Sequence, residues 1–503
     1  MLANRLTEDL RTSVLLIEAG PRDTHFWIHV PLGYGKLFAR TDVNWAYQSE
    51  PEPSLGGRRI FTPRGKVLGG SSSINGLVYI RGQPQDYDDW RIPGWSFREL
   101  LPYFKKSENQ ARGADAWHGA GGPLEVGDLE RHELCDAFIG SAAALGIPRN
   151  PDFNGASQEG TGYYQATTCR GRRSSSATGY LRPAQKRPNL RVLVNTLATG
   201  ITFAGRRAAG VRTTDGTFSA AREVIVAGGA FNSPQLLQLS GIGPAALLQR
   251  CGIPVVADLP VGEGLQDHYY ARTFWRCCKP LTLNDDMASW LGRARIGAQY
   301  LLRRQGPLTI AAGYAAAFVR TRPELQRPDV QIYFINFSTA KRGGVLHAFS
   351  GFTCSVSQLQ AESRGSVVIR SPDPAAPPAI RYNYLATEND RRVMVDGVKL
   401  VRRIVNTPPL SGYVTAEELP GAKLQTDDEL LAFVREYGET VFHPTSTCSM
   451  GSVVDERLRV KGVGGLRVID ASVMPAVPSG NINAAVIAVA EKGADLVRED
   501  GEW

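Results

Sequence analysis

Several short stretches carry side chains whose type and spacing could do chemistry. Val14-Leu15-Leu16-Ile17 is a short β-rich run that ends in Glu18-Ala19-Gly20. An acid closing a parallel strand can hydrogen-bond a nucleotide ribose, although such an acid alone is more often a surface feature. Gly69-Gly70-Ser71-Ser72-Ser73 leads into the apolar stretch Leu77–Ile80. A loop of this kind can present several backbone N–H groups to an anion with no Cβ in the way, or can be an ordinary turn. It is not a P-loop, because Val67 follows Gly65-Lys66 where a hydroxyl residue would be needed, and no G-x-S-x-G nucleophile elbow occurs. His443 precedes Pro444; a lone histidine is a general base in some settings and a satisfied core residue in more. Asn481-Ile482-Asn483 opens an apolar helical pattern, where an asparagine can cap the helix or face a ligand. His25 and His29 are four apart without the glutamate of a zinc motif. The 7 cysteines show no C-x-x-C spacing, which argues against a disulfide framework and a structural zinc site.

The elements that would position these groups alternate in type. A helical pattern (Leu2, Leu6, Leu10) precedes the strand before Glu18. Residues 84–160 are rich in Trp, Gly, Pro and acids, and suggest loops with short helices. Strands are expected at Leu190–Val194, Ile201–Phe203, Val211–Thr213 and Glu223–Ala227. The last meets Gly228-Gly229 and a helix expected at Ser233–Leu239, the strand–glycine–helix junction where α/β sheets bind ligands. Residues 270–435 differ: Gln331–Phe337, Phe352–Gln358 and Ser366–Arg370 suggest an antiparallel sheet, and Asn389–Val405 an amphipathic helix. The tail returns to α/β grammar, with a strand ending in Asp470 and a helix expected over Asn481–Val497. At about 100–200 residues per domain, 503 residues allow two to four domains or two large interleaved ones. Hydrophobic residues are 43% and charged residues 21%, which excludes a disordered chain. The net charge of +8 comes from scattered basic pairs, so a nucleic-acid footprint is weak. No run of about 18 apolar residues suggests a membrane-spanning helix.

Four segments together resemble one family, the glucose–methanol–choline (GMC) oxidoreductases, FAD-dependent flavoproteins that oxidise alcohols. They are Gly65–Gly82, Gly229–Pro244, His443-Pro-Thr-Ser-Thr-Cys-Ser-Met-Gly451, and Val468–Pro475 with Gly480-Asn-Ile-Asn-Ala484. Val261-Gly-Glu-Gly-Leu-Gln-Asp-His268 and Glu362–Ser366 also match. The stretch Asn75–Trp90 looks most like the choline dehydrogenase and alcohol dehydrogenase branch. The resemblance implies an α/β FAD-binding domain, Rossmann-like and of the glutathione-reductase type, plus an α+β substrate domain built on an antiparallel sheet. The expected division is 1–265, mainly FAD-binding with insertions at about 84–160; 266–435, substrate-binding; and 436–503, a return to the FAD domain.

The resemblance also implies roles. His443 is expected as the catalytic base and Asn483 as its partner at the reacting oxygen. Glu18 is expected at the ribose. Val67, Gly69, Gly70, Asn75, Gly76, Leu77 and Val78 are expected along the flavin and pyrophosphate, and Ala198 near the adenine. Asp470, Ala471 and Asn481 are expected on the flavin side of the tail. Ile74 stands where some members carry a flavin-linking histidine, so FAD is expected to be non-covalent. No metal is expected. The implied reaction oxidises a primary alcohol to an aldehyde and passes electrons to a quinone or other non-NAD acceptor. The alternatives are an oxidase using O2 and a flavin-deficient, non-catalytic relative. Members place a strand and a G-x-G-x-x-G loop ahead of a helix like Leu2-Ala-Asn-Arg-Leu6, and no G-x-G-x-x-G occurs here; a start assigned too far downstream is the expected cause, with a real truncation as the alternative. The expected partners are the alcohol and the acceptor, with a homodimer allowed. The expected location is the cytoplasm, with or without peripheral contact to a membrane.

Overall fold

The computed structural model describes residues 1–501. Two parallel strand pairs form the floor of one lobe. Val14–Ile17 runs beside Leu190–Leu193, in register from Val14↔Leu190 to Ile17↔Leu193. Val224–Val226 runs beside Leu466–Val468. Among the described residues no strand joins the two pairs, and a cavity bordered by Val14–Glu18 on one side and Val224–Val226 on the other passes between them. Ala198–Ala204, Arg207–Thr213 and Gly216–Ser219 form an antiparallel ribbon on this lobe.

The helix expected from Ser233 begins four residues earlier, at Gly229, and runs to Leu239. Its first turn is capped from elsewhere: Gly229 N–H donates to Asp470 Oδ2 at 2.9 Å, and Ser233 Oγ donates to the same oxygen at 2.5 Å. A cap supplied by a distant segment leaves no local sequence signal. The final helix, Asn483–Asp500, packs into the apolar core of this lobe through Ala488 and Val489.

The other lobe is an antiparallel sheet. Its strands run in the order Val414–Leu419, Tyr269–Cys277, Gly351–Gln358, Val330–Ile335, Ala315–Val319 and Gly160–Tyr163, and Glu439–Thr440 pairs with the start of Tyr269–Cys277. Two of these strands thus come from outside the expected 266–435 block. Ser366–Arg370, expected in this sheet, instead contributes Gly365–Val368 to a small separate sheet with Glu263–Leu265 and Ala379–Arg381. The stretch 84–160 holds more regular structure than expected, including the helices Phe97–Ser107 and Glu133–Ala144. The first starts at a capping box of Ser96 and Glu99, a stronger signal than the proline inside it.

The central strands explain why the site lies where it does. Val330–Ile335 and Gly351–Gln358 are buried at every position, yet they alternate in polarity. Ile332, Phe334, Phe352, Cys354 and Val356 belong to one apolar core, and the helix Glu388–Val405 packs on this sheet with Val398, Val401 and Val405 in the same core. The intervening Gln331, Tyr333, Ser355 and Ser357 point to the opposite face, by the period-two rule for strands. Tyr270 pairs with Ser357, and Arg272 with Ser355, so Tyr270, Arg272, Gln331 and Tyr333 share one polar, water-excluded face.

Candidate active site

His443 stands where that face meets the α/β lobe, and its surroundings assign its protons. His268 Nε2 lies 3.0 Å from the Leu359 carbonyl oxygen. A carbonyl only accepts, so His268 Nε2 carries hydrogen and its Nδ1 is a lone pair. His443 Nδ1, 3.0 Å from that lone pair, is therefore the donor. His443 Nε2 is left as a lone pair, and the Asn481 amide donates to it at 3.1 Å. Asn481 is fixed in turn: Gln331 Nε2 donates to its Oδ1 at 3.2 Å, while the Gln331 carbonyl accepts from the Tyr333 hydroxyl at 2.8 Å. The Gln331 amide also donates to the Tyr164 hydroxyl at 2.7 Å.

Burial pushes the His443 pKa well below the ordinary imidazole range, with His268, Arg64 and Arg342 acting in the same direction. Burial pushes His268 down to about 4. Both rings are thus neutral at neutral pH. The backbone of His443 is held as firmly as its ring. Its N–H donates to Asp267 Oδ1 at 2.7 Å, and the other Asp267 oxygen accepts from Tyr384 and Thr440. Phe442, just before His443, has φ +70, a strained value for an aromatic residue. Its N–H donates to Thr440 Oγ1 at 2.7 Å, and its carbonyl accepts from Arg64 Nη2 at 2.8 Å.

The cavity ending at His443 has a volume of about 2390 Å3, well above the range of about 300–1,000 Å3 for a small-molecule pocket. Its walls suit a long dinucleotide. Glu18 accepts from Gly20 N–H at 2.8 Å, and burial raises its pKa to about 7. A Cβ on Gly20 would meet Lys66 O at 1.8 Å, so only glycine lets these two segments pass. Gly70 (φ +55) and Gly229 (φ +81) each have open space where a side chain would stand, and both border the cavity. The two turns therefore bring side-chain-free backbone to the cavity from separate segments, with the Gly70 N–H donating to Val67 O and the Gly229 N–H to Asp470.

Of the residues singled out in the sequence, Glu18, Gly69, Gly70, Asn75, Gly76, Leu77, Val78, Ala198, Asp470 and Ala471 all border this cavity, as do His443, Asn481 and Asn483. Val67 does not. It is fully buried in an apolar cluster with Ile28, Leu37, Val43 and Ile74, one step behind the wall. The asparagine bonded to His443 is Asn481, where the sequence pointed to Asn483. The chain turns at Gly480 (φ +126), which brings Asn481 to His443 before the helix starts at Asn483. His25 and His29 serve locally: His25 Nδ1 accepts from Trp27 N–H, and His29 Nε2 donates to Asp23 O. The partners that sequence reasoning left without a role are Asp267 and His268, adjacent ionisable residues immediately before a long strand. Their juxtaposition in Gln266-Asp267-His268 was the available signal.

A neutral, buried histidine whose Nε2 accepts from a side-chain amide lies at the end of a cleft between a dinucleotide-type α/β lobe and an antiparallel sheet, an arrangement that suits a cofactor-dependent oxidoreductase. The comparisons give the family. The GMC oxidoreductase models match residues 15–270 and 361–490, and the chain belongs to that family. It is 42% identical over 519 residues to the oxygen-dependent choline dehydrogenase of Serratia proteamaculans (strain 568), covering 99% of this chain and 93% of that protein. Among solved structures it is similar to pyridoxine 4-oxidase from Mesorbium loti, with a TM-score of 0.90, 30% identity, and 99% and 96% of the two chains covered. A fungal aryl-alcohol oxidase gives a TM-score of 0.84 at 25% identity, covering 99% and 97%.

Proposed function

We propose that this protein oxidises the CH–OH group of an alcohol, a primary alcohol giving an aldehyde, with FAD held non-covalently in the long cleft. The observation that carries this reading is the acceptor Nε2 of His443 at the end of that cleft, engaged by no group but the Asn481 amide. FAD, when bound, supplies a hydride acceptor for the carbinol carbon. Glu18 would hold the ribose, the Gly69-Gly70 turn and Gly229 the pyrophosphate region, and Asn75–Val78, Asp470, Ala471 and the Asn483 helix terminus the isoalloxazine end.

The chain's own groups handle the proton. His443 Nε2 accepts it from the substrate hydroxyl. The Asn481 amide, released from Nε2 as the hydroxyl takes its place, donates to the same oxygen and stabilises charge as it develops there. His268 accepts from His443 Nδ1–H before and after the transfer, so the ring neither turns nor changes tautomer. Ile74, on the cavity wall, carries no nucleophile for a covalent link. The two electrons leave to a quinone-like acceptor, or to O2, a reading favoured by the oxygen-dependent relatives. We place the protein in the cytoplasm; among the described residues no helix is long and apolar enough to cross a membrane.

The test is anaerobic. The purified, FAD-loaded protein should lose its flavin colour when mixed with a reactive primary alcohol, and His443→Ala should retain the colour. Failure of every alcohol in a broad panel to bleach the flavin would sink the proposal. Adding O2 or a quinone to the bleached protein then identifies the acceptor, with peroxide formed only in the first case.

A further inference from the structure

The aromatic surface beside His443 already holds a cation. The Arg342 guanidinium lies over the Tyr270 ring at 4.2 Å from its centroid and over the Phe442 ring at 4.8 Å. These are the ring faces on which a quaternary ammonium group would otherwise rest. Phe442 is the residue next to the base, and Tyr270, Tyr333, Phe442 and Arg342 all border the cavity.

Among the residues that border the cavity at this end the charge is one-sided, with Asp267 buried behind His443 and Glu439 beside Arg342. Arg272, 9% exposed, also borders the cavity. Its guanidinium donates to the carbonyls of Thr339 (2.6 Å) and Ala340 (3.0 Å), and among the described residues no carboxylate lies within ion-pair distance of it. Arg342 donates to Thr440 O at 2.7 Å and forms an ion pair with Glu439, 3.5 Å from Nε, which does not border the cavity. Lys36 and Arg64 line the same end. The acids on the cavity wall (Glu18, Glu223, Asp470, Glu499 and Asp500) all belong to the α/β lobe. Arg272, buried without an ion pair, and Arg342, partly buried with one, repel a cation and attract an anion more strongly than they would in water.

We infer that the substrate is an alcohol carrying a carboxylate or similar anionic group at its far end, bound by Arg342 and Arg272, and that a quaternary ammonium alcohol such as choline is disfavoured. This rests on the alcohol-oxidising reading of the site and adds the substrate class to it. The hydroxy acid loses a proton from oxygen and a hydride from carbon and becomes an aldehyde acid; both electrons go to the flavin and from there to the acceptor.

Three alcohols of similar size test the inference on the FAD-loaded protein by anaerobic flavin reduction: choline, dimethylbutanol (its neutral isostere, with carbon in place of the quaternary nitrogen) and γ-hydroxybutyrate. The expected order of kcat/KM is γ-hydroxybutyrate, then dimethylbutanol, then choline, with choline about tenfold or more below its isostere. Arg342→Gln should cut the ratio of γ-hydroxybutyrate to dimethylbutanol by about tenfold. Choline at or above its isostere, or a ratio that Arg342→Gln leaves unmoved, overturns the inference. If none of the three reduces the flavin, the catalytic reading is at fault, and the charge preference is decided by binding alone. Butyrate should then perturb the flavin spectrum at lower concentration than trimethylpropylammonium does, and an unperturbed spectrum with butyrate, or the reverse order, overturns the inference.

Discussion

At the scale of single residues, the protons of the site form one directed chain. It runs from the Leu359 carbonyl through His268 and His443 to Asn481 and Gln331. In the proposed reaction His268 therefore positions His443 by fixing its tautomer and does not itself reach the substrate. His268→Phe should lower the rate of flavin reduction by about 10- to 100-fold, the usual cost of losing an orienting partner. His268→Asn, whose Oδ1 can stand where Nδ1 stood and still accept from His443 Nδ1–H, should recover most of that loss. Equal losses in the two variants would mean that His268 only fills space. The depressed pKa of His443 carries a second expectation. A base works in its neutral form, and burial with the nearby Arg64 and Arg342 disfavours its charged form. The reduction rate should therefore stay flat as pH falls from about 8 through the ordinary imidazole value of about 6.5. An acid limb centred at or above that value contradicts the geometry. Asn481→Ala should cost about 100-fold in the same assay, the loss expected for one donor to a developing oxyanion. Asn483→Ala, which leaves the bond to His443 in place, should cost less.

At the scale of elements, the site depends on turns that only glycine can make. Gly69 has φ +89, and a Cβ there would come within 2.4 Å of Ser73 Oγ and 2.9 Å of Ala177 Cβ. Gly69→Ala should therefore distort the loop and weaken FAD binding, with about 1–2 kcal/mol from the backbone alone. The ratio of flavin to protein absorbance after purification reads this directly, and full occupancy would contradict it. The same elements show what a sequence discloses. Val14–Ile17 with Glu18, Val224–Val226 with its glycines, and the helix Glu388–Val405 were legible, because period and punctuation are local signals. The edges of the antiparallel sheet were not, since Gly160–Tyr163 and Glu439–Thr440 pair with strands far away in the chain. The hydrogen bond from Asn481 to His443 was not legible for a related reason. The motif Gly480-Asn-Ile-Asn-Ala484 offers two asparagines, and the turn at Gly480 decides which one meets His443. The polar face of a fully buried strand is equally mute, because burial on both sides is a property of what packs against it.

At the scale of the whole molecule, a second buried polar network, built from Arg81, Glu108, His118 and Asp152, ties distant segments together. Arg81, 1% exposed, follows the strand Val78–Tyr79 beyond the glycine loop. It donates to Glu108 Oε2 at 2.5 Å and to Trp117 O at 2.6 Å. His118 Nδ1 lies 3.1 Å from Glu108 Oε1, and its Nε2 lies 2.8 Å from Asp152 Oδ2. With carboxylates at both nitrogens, the ring is bound as a cation. Burial opposes that charge, but the hydrogen bonds to Asp152 and Glu108 outweigh it and raise the pKa to about 9. A folded-state pKa above the unfolded value of about 6.5 gives stability that is complete below that value. The stability is lost as pH rises through about 9, and the pair of values corresponds to about 3 kcal/mol at most. His118→Gln keeps a polar side chain but cannot carry the charge. The wild type should therefore melt several degrees above His118→Gln at pH 6, and the gap should close toward pH 10. A gap that does not change with pH would show that His118 contributes packing and neutral hydrogen bonds rather than charge.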